Sequence, residues 1–486
     1  MKALNITIII LVLYFAAVMA VGFLATRRTK SAAAFHGTEM GLFAIVCASA
    51  GEWLGGTATT GVAEYGFMYG LSGAWYTVSN GIGVMFLALF FTKLYRSTGC
   101  ITVPGIVGKF LGQKAKKVSA FLLIIVMLAV GVSQMIAAGK LGQSLTGFSF
   151  SACCVAFTFI FIAYTLLGGM HAVASTNKVH LFVMYGGMIF ALLGAFRLFN
   201  GSADFRAEVG ALDRLTGGDF LGMTAIGLPK VSSWIIASVL GACTAQAGIQ
   251  PVLAAKDVPT AKKACMLTAL VTAPFGFISA ALGIIARLLS ERGELIDISG
   301  HVVTDGKLAL MALIAKLPAA SGGVILAAIL AAILSTISPI ILAAGTMFVK
   351  DICGEVAVSE AHDKRQLTLS RAATAAAGII CSAGAIALVD NSAILDLVYS
   401  AYSLRGTIFV ILLMGIFWKR ASEKAACLSM AFTAAVLIGW VAVSFVTGKP
   451  PVAEWLTDTY VAVFAAVASM TVFSAIYPKQ EQAPSN

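Results

Sequence analysis

The sequence predicts an all-α integral membrane protein with about 13 transmembrane helices. Of the 486 residues, 59% are hydrophobic and only 11% are charged, and the mean hydropathy is +0.94. The apolar residues form runs of about 20, the length that a helix needs to cross a bilayer with its backbone hydrogen bonds satisfied internally. A water-soluble domain is not expected to have this composition.

The apolar runs are connected by segments too short to hold a separate soluble domain, so residues 1–486 are predicted to form a single transmembrane domain. The first run is too long for a signal peptide and is followed by the basic segment 27–30, so we expect it to be retained. The runs lie near residues 5–25, 41–66, 72–94, 118–142, 148–168, 179–199, 232–252, 264–288, 322–348, 369–389, 394–418, 423–446 and 459–477.

The distribution of basic residues predicts the orientation of the chain. About two thirds of the 33 lysines and arginines fall in one alternate set of loops, and such residues collect on the cytoplasmic side. We therefore expect a multi-pass protein of the cell membrane, with the N-terminus outside and the C-terminus in the cytoplasm. The net charge of +11 follows from this topology and does not indicate nucleic-acid binding.

The sequence contains no signature of an enzyme or of an ATP-driven pump. The nine cysteines mostly lie in predicted helices, where they pack as small residues. The five histidines have no metal-ligand spacing, and neither a phosphate-binding loop nor a catalytic triad is recognisable.

Two features of the apolar runs indicate ion-coupled transport. Ser335 and Thr336 form a hydroxyl pair in an otherwise apolar stretch, and a dehydrated hard cation requires such oxygen ligands. In the second run, glycines in the stretch 51–56 surround Glu52, so the helix can open there and line a cavity. Alternatively, the hydroxyls bond to carbonyls of their own helix and the glycines serve close helix packing.

Four further segments carry a family resemblance. They are 164–180 (YTLLGGMHAVASTNKVH), 246–264 (QAGIQPVLAAKDVPTAKKA), 331–352 (AAILSTISPIILAAGTMFVKDI) and 415–426 (GIFWKRASEKAA). In this order, and with this number of helices, they resemble the sodium/solute symporter family, which includes the sodium/proline, sodium/sugar, sialic acid and pantothenate symporters. The resemblance implies sodium-coupled import of a small organic solute by alternating access, with no obligate protein partner.

The resemblance also implies an inverted-repeat bundle of the leucine-transporter type. The first repeat would occupy residues 40–200 and the second 231–420, with an extra N-terminal helix at 4–30 and two C-terminal helices at 421–478. The substrate would bind near the midplane, between the broken second and seventh helices.

The family's sodium site, carried over by resemblance, would use the carbonyls of Gly51 and Leu54 and the hydroxyls of Ser335 and Thr336. We expect one sodium ion per substrate. Relatives that bind a second ion have an aspartate where this chain has Asn177.

Glu52 and Arg405 are charged residues within predicted spans, and such residues commonly face a cavity or a partner. Arg405 lies about 21 Å from the inner boundary, at 1.5 Å per residue. It would hold a substrate carboxylate bidentately while Glu52 receives an amine, which favours a carboxylate or amino acid as substrate. Further pocket candidates are Trp53, Trp75, Asn80, Gln134, Gln246 and Tyr402.

Three alternatives to these roles stay open. Glu52 and Arg405 could pair only with each other, or Arg405 with Asp396, to stabilise the bundle. A proton-coupled carrier of the same fold would titrate Glu52 or His180 and ignore sodium. A membrane sensor or scaffold would ordinarily need a soluble output domain.

Overall fold

A computed structural model describes residues 2–26, 39–199, 201–297, 300–354, 360–389, 394–447, 449, 451–453 and 455–479. Within these residues the protein is helical and contains isolated bridges but no named strand. Ten helices of the described part are long and apolar enough to cross a membrane. The predicted all-α membrane fold is confirmed, whereas the count of about 13 helices stays a prediction. Basic segment 27–30 lies outside the described residues.

The helices follow one another with short connections. Those of the first half are α1 (Lys2–Thr26), α2 (Leu42–Trp53), α3 (Val62–Tyr69), α4 (Trp75–Phe86), α5 (Thr92–Ser97), α6 (Val103–Leu111), α7 (Gln113–Thr146), α8 (Phe150–Phe196) and α9 (Ser202–Thr216). Those of the second half are α10 (Leu228–Ala242), α11 (Gln246–Leu253), α12 (Val258–Thr272), α13 (Phe275–Glu291), α14 (Gly306–Lys316), α15 (Ala319–Met347), α16 (Glu360–Leu388), α17 (Ile394–Phe417), α18 (Glu423–Thr447) and α19 (Asp458–Ile476). Shorter π-helical or 3₁₀ segments lie at Thr57–Gly61, Gly70–Ala74, Leu87–Phe91 and Phe348–Cys353.

Two of the predicted spans are broken in their middle. The second span leaves the α-helical path after Trp53, passes through Leu54 with φ −106° and ψ 46°, and resumes as the π-helical segment Thr57–Gly61. The seventh span is interrupted between α10 and α11. The opening that the glycine-rich stretch predicts is therefore present. The division into two repeats stays a prediction, and each proposed repeat begins with one of the broken spans.

The centre of the bundle is formed by α15, which packs against α1, α2, α7, α8 and α16. The most apolar stretch of its span, Ser321–Cys353, is 94% buried. Helix α8 joins two predicted spans across a kink at Gly169, where φ is 56°, a conformation that glycine adopts without strain. These contacts place the middle of α15 against the broken end of α2.

Candidate ion and substrate site

Ser335 and Thr336 lie in the buried middle of α15 and face the end of α2. The hydroxyl of Ser335 lies 3.1 Å from Gly51 O and 2.8 Å from Ala332 O. The hydroxyl of Thr336 lies 2.5 Å from Gly51 O and 3.3 Å from Glu52 O. The pair therefore reaches across to a second helix as well as bonding within its own. Oxygens from two helices converge, an arrangement that suits a hard monovalent cation.

The carbonyls at the end of α2 are available to hydrogen-bond donors of other helices because α2 stops there. In a continuous helix, the N–H of Gly56 would donate to Glu52 O. It donates instead to Gln134 Oε1, at 2.7 Å, and Gln134 Nε2 donates to Thr57 Oγ1, also at 2.7 Å. Gln134 thus supports the break in the helix. The two hydroxyls of α15 donate to the carbonyls of Gly51 and Glu52, and neither donates to Leu54.

Side chains of neighbouring helices lie very close to α2 at two glycine positions. A Cβ atom at Gly51 would lie 2.3 Å from Asn177 Nδ2, and one at Gly55 would lie 2.5 Å from Thr336 Oγ1. Asn177 Nδ2 in turn donates to the backbone oxygen of Ser335, at 3.2 Å. The lack of side chains at Gly51 and Gly55 therefore allows α2 to lie close to α15. This close approach brings the oxygens of the two helices together.

Glu52 and Arg405 meet in the interior. Glu52 Oε1 and Arg405 Nη1 are 3.9 Å apart, and both side chains are inaccessible to solvent. None of the three guanidinium nitrogens makes a hydrogen bond to a described residue, nor does Glu52 Oε2. The guanidinium carbon lies 3.5 Å from the ring centroid of Tyr402 and 5.1 Å from that of Trp53. The side chain of Asp396, the alternative partner, lies outside the described residues.

The charged pair lies between the two broken spans. Thr244, in the gap between α10 and α11, donates its hydroxyl to Arg405 O at 2.6 Å. A Cβ at Gly241 would lie 2.7 Å from Arg405 Nε, and one at Gly248 would lie 3.1 Å from Glu52 Oε2. The second broken span therefore approaches both charged groups through positions that lack a side chain.

Four residues that were not predicted from the sequence complete this cluster around Tyr402, namely Tyr76, Ser79, Ser238 and Tyr399. Tyr76 and Tyr402 are hydrogen-bonded through their hydroxyls at 3.2 Å. Ser79 links the hydroxyl of Tyr399 at 3.2 Å with that of Ser238 at 3.0 Å. The helical spacing of the tyrosines, one turn apart on α17, was the available signal, but buried aromatic residues are usually packing residues.

Little space is left beside Trp53. A cavity of about 10 Å³ lies next to Trp53 and is lined in part by Ser49 and Gly248. It is large enough for about one water molecule. Glu52 and Arg405 are inaccessible to solvent in this arrangement, so the groups around them must move before a solute can reach them.

The remaining pocket candidates have different surroundings. Trp75 donates its indole N–H to Met223 O at 2.6 Å. Gln246 accepts from Val103 N at 2.7 Å and donates to Ile101 O at 3.3 Å, so it connects α11 to the start of α6. The structure brings neither of these two side chains to the charged pair through a hydrogen bond.

Asn80 is buried, and its amide oxygen and nitrogen both lack a hydrogen-bond partner among the described residues. It lies one helical turn after Tyr76 on α4, so the two residues share a face of that helix. Among the predicted substrate residues, the structure thus gathers Glu52, Trp53, Tyr402 and Arg405, with Asn80 on a neighbouring helix face.

Comparison with known proteins identifies the family. The model of the sodium:solute symporter family matches residues 35–433. The high-affinity proline transporter PutP of Bacillus subtilis is 26% identical over 431 residues, covering 86% of this chain and 89% of the relative. The sodium/proline symporter of Staphylococcus aureus strain JH9 is 25% identical over 452 residues, covering 90% of this chain and 86% of the relative.

Two solved structures share the fold. One is a Na⁺-coupled sialic acid symporter in a substrate-bound outward-open state, with a TM-score of 0.79, 18% identity, and coverage of 98% of this chain and 99% of the other. The second is Mhp1, a nucleobase-cation-symport-1 family transporter in a closed conformation, with a TM-score of 0.57, 14% identity, and coverage of 92% and 96%. Because the family model matches most of the chain, this protein belongs to the sodium:solute symporter family and carries out sodium-coupled symport of a small organic solute.

Proposed function

We propose that the solute is a carboxylate or an amino acid, imported by alternating access with one sodium ion. The observation that carries this proposal is the buried guanidinium of Arg405, whose nitrogens have no hydrogen-bond partner among the described residues. Burying an arginine without partners is unfavourable, and a substrate carboxylate would supply two charge-assisted hydrogen bonds. The stacking on Tyr402 holds the guanidinium plane in place for such a ligand.

Glu52 favours a zwitterion over a simple anion. Its carboxylate, 3.9 Å from Arg405, would receive the ammonium group of an amino acid while the substrate carboxylate binds the guanidinium. The relatives from Bacillus subtilis and Staphylococcus aureus transport proline by name, and proline carries both groups. Proline is therefore the first substrate to test.

The sodium ion would bind where α2 ends against α15. Its proposed ligands are the hydroxyls of Ser335 and Thr336 with the carbonyls of Gly51 and Leu54, and the contact of Thr336 with Glu52 O suggests that carbonyl as well. Glu52 therefore contributes its backbone beside the ion and its side chain beside Arg405. This shared residue provides a direct physical connection between sodium binding and substrate binding.

A single coupling ion is consistent with the surroundings of Asn177. Its amide nitrogen donates to the backbone oxygen of Ser335, and a neutral amide adds no negative charge for a second cation. One sodium ion transported with a zwitterion moves one net charge inward. The membrane potential therefore adds about 2.3 kcal/mol per 100 mV to the driving force for uptake.

The test is uptake of radiolabelled proline into proteoliposomes under an inward sodium gradient, with potassium replacing sodium in the control. Sodium-dependent uptake that is lost in Arg405→Gln supports the proposal. Uptake that follows a proton gradient without sodium, and is lost in Glu52→Gln, would instead favour the proton-coupled alternative. If proline is not taken up, a panel of other amino acids and monocarboxylates tests the substrate class, and failure of the whole panel contradicts it.

We also propose that the protein lies in the cell membrane with its N-terminus outside and its C-terminus in the cytoplasm. Cys353 is exposed just beyond α15, at an end predicted to be cytoplasmic. A membrane-impermeant maleimide should label Cys353 in inverted vesicles and not in intact cells. Labelling of Cys353 in intact cells would show that the orientation is the opposite of the one proposed.

A further inference from the structure

A hydrogen-bonded chain connects the N-terminal helix to α8. The hydroxyl of Tyr14, on α1, bonds to His180 Nδ1, and the hydroxyl of Tyr164 lies 3.1 Å from His180 Nε2. Tyr164 also donates to Thr176 Oγ1, and Thr176 donates to Ala172 O at 2.9 Å. The imidazole is completely buried, so these contacts lie in the interior of the bundle.

The donors and acceptors of this chain can be assigned in one direction. Thr176 uses its proton on a backbone carbonyl, so it accepts from Tyr164. Tyr164 then accepts from His180 Nε2–H, which leaves Nδ1 as the acceptor for Tyr14. A neutral imidazole has one donor and one acceptor, so this single tautomer satisfies every contact.

The chain ends directly behind the proposed sodium site. Asn177 follows Thr176 on α8; it donates to Ser335 O, and its amide packs on Gly51. On the opposite side, α1 packs closely, since a Cβ at Gly22 would lie 3.7 Å from Thr176 Cγ2. This turn of α8 is therefore held between α1 and the oxygens proposed to bind sodium.

We propose that α1, through Tyr14 and His180, fixes the position of α8 and thereby sets the affinity for sodium. Tyr14 and His180 are positioning residues, because they touch neither the ion nor the substrate in this arrangement. The inference rests on the proposed sodium site. It assigns a role to the extra N-terminal helix, which lies outside the two proposed repeats.

The contact between α1 and α8 depends on a hydrogen bond as well as on packing. If the hydroxyl of Tyr14 is removed, His180 Nδ1 loses its donor in an apolar interior, and the imidazole is no longer held from both sides. The expected consequence is a shift of the Asn177 turn relative to Gly51, where the clearance is too small for even one added carbon.

The experiment measures sodium binding to the purified full-length protein in nanodiscs, using sodium chloride titrated against choline chloride at constant ionic strength. A fit of Tm against sodium concentration to the relation for ligand-linked unfolding gives the dissociation constant, which is the half-saturating sodium concentration. Tyr14→Phe should raise this concentration roughly threefold to tenfold, as expected for one lost hydrogen bond. The matched control is Val18→Ala, which thins the buried face of α1 one turn away and leaves the hydrogen bonds intact.

A second pair of variants separates hydrogen bonding from shape. His180→Gln keeps one acceptor and one donor and should retain a sodium response close to that of the wild type. His180→Leu removes both and should weaken the response as Tyr14→Phe does. A purely structural role would lower the Tm without sodium in all variants and leave the half-saturating concentration unchanged.

Two results would overturn the inference while leaving the proposed function in place. One is an unchanged half-saturating sodium concentration in Tyr14→Phe. The other is an equal increase in Val18→Ala. If the wild type shows no sodium-dependent rise in Tm, the sodium site itself is wrong and the inference fails with it, whereas the carboxylate specificity is judged separately by uptake.

Discussion

Glu52 and Arg405 are 3.9 Å apart and fully buried, yet no hydrogen bond joins them. A buried ion pair with purely structural function is expected to have short, well-satisfied contacts, because desolvation of both charges must be offset. The spacing and the unsatisfied nitrogens instead favour a site in which a ligand completes the charge pairing.

Replacement of Arg405 by lysine tests this interpretation. Arg405→Lys keeps the charge but loses the planar fork that binds a carboxylate bidentately. The KM for proline uptake should rise by roughly 30-fold or more, as for loss of a buried charged contact of about 2 kcal/mol, while the sodium-dependent rise in Tm is retained. Arg371→Lys, at an exposed position on α16, is the matched control and should behave as the wild type. Equal uptake by both variants contradicts the assignment.

Removal of one charge should also affect stability. Glu52→Gln leaves the Arg405 guanidinium as an uncompensated buried charge, so the free energy of unfolding should fall by about 3–5 kcal/mol. Adding Arg405→Met to this variant removes the remaining charge and should restore most of the loss without restoring transport. Denaturant titration in detergent measures the stability of both variants, and uptake into proteoliposomes measures their transport. A Glu52→Gln protein as stable as the wild type would indicate that the two groups do not interact.

Asn177 offers a test of the ion stoichiometry. Asn177 Oδ1 and Ser338 Oγ are buried without hydrogen-bond partners among the described residues. Asn177→Asp adds a negative charge and an oxygen ligand there, so the Hill coefficient for sodium in uptake should rise from about 1 toward 2. Asn177→Ala, which loses the same bond to Ser335 without adding a charge, is the control and should not show this rise. A coefficient near 2 in the wild type would contradict the single-ion proposal.

The close approach of α2 to its neighbours predicts that a side chain at Gly51 disturbs the ion site. Gly51→Ala places a carbon 2.3 Å from Asn177 Nδ2 and 3.2 Å from Ser335 Cβ, so Asn177 must leave its bond to Ser335 O or the helices must separate, and the sodium-dependent rise in Tm should be reduced or lost. Gly41→Ala, immediately before the same helix, meets no atom within 4 Å and should bind sodium normally. The sodium titration used above compares the two. A normal response in Gly51→Ala would exclude this contact from the ion site.

The sequence was sufficient to predict the membrane class, the broken second span and the hydroxyl pair. These features are local: they depend on runs of apolar residues, on the glycines around Glu52, and on Ser335 beside Thr336. The burial of Arg405 was also predictable, since this residue lies well inside a predicted span.

Contacts between distant segments could not be predicted in the same way. Tyr76 and Tyr399 are more than 300 residues apart, and their shared cluster depends on how α4, α10 and α17 pack. The role of Gln134 at the break of α2 and the bonds of Gln246 to the start of α6 depend on tertiary register. The same is true of His180, whose partner on α1 is 166 residues earlier.

In the proposed mechanism, sodium binds where α15 meets the end of α2. The most direct test is the Tm of the purified protein in potassium against increasing sodium, repeated with Ser335→Ala and Thr336→Ala. A ligand that binds the folded state raises Tm with its concentration. We predict a sodium-specific rise in the wild type that is lost in both variants. An equal rise in the wild type and the two variants, or no rise at all, would contradict the proposed ion site.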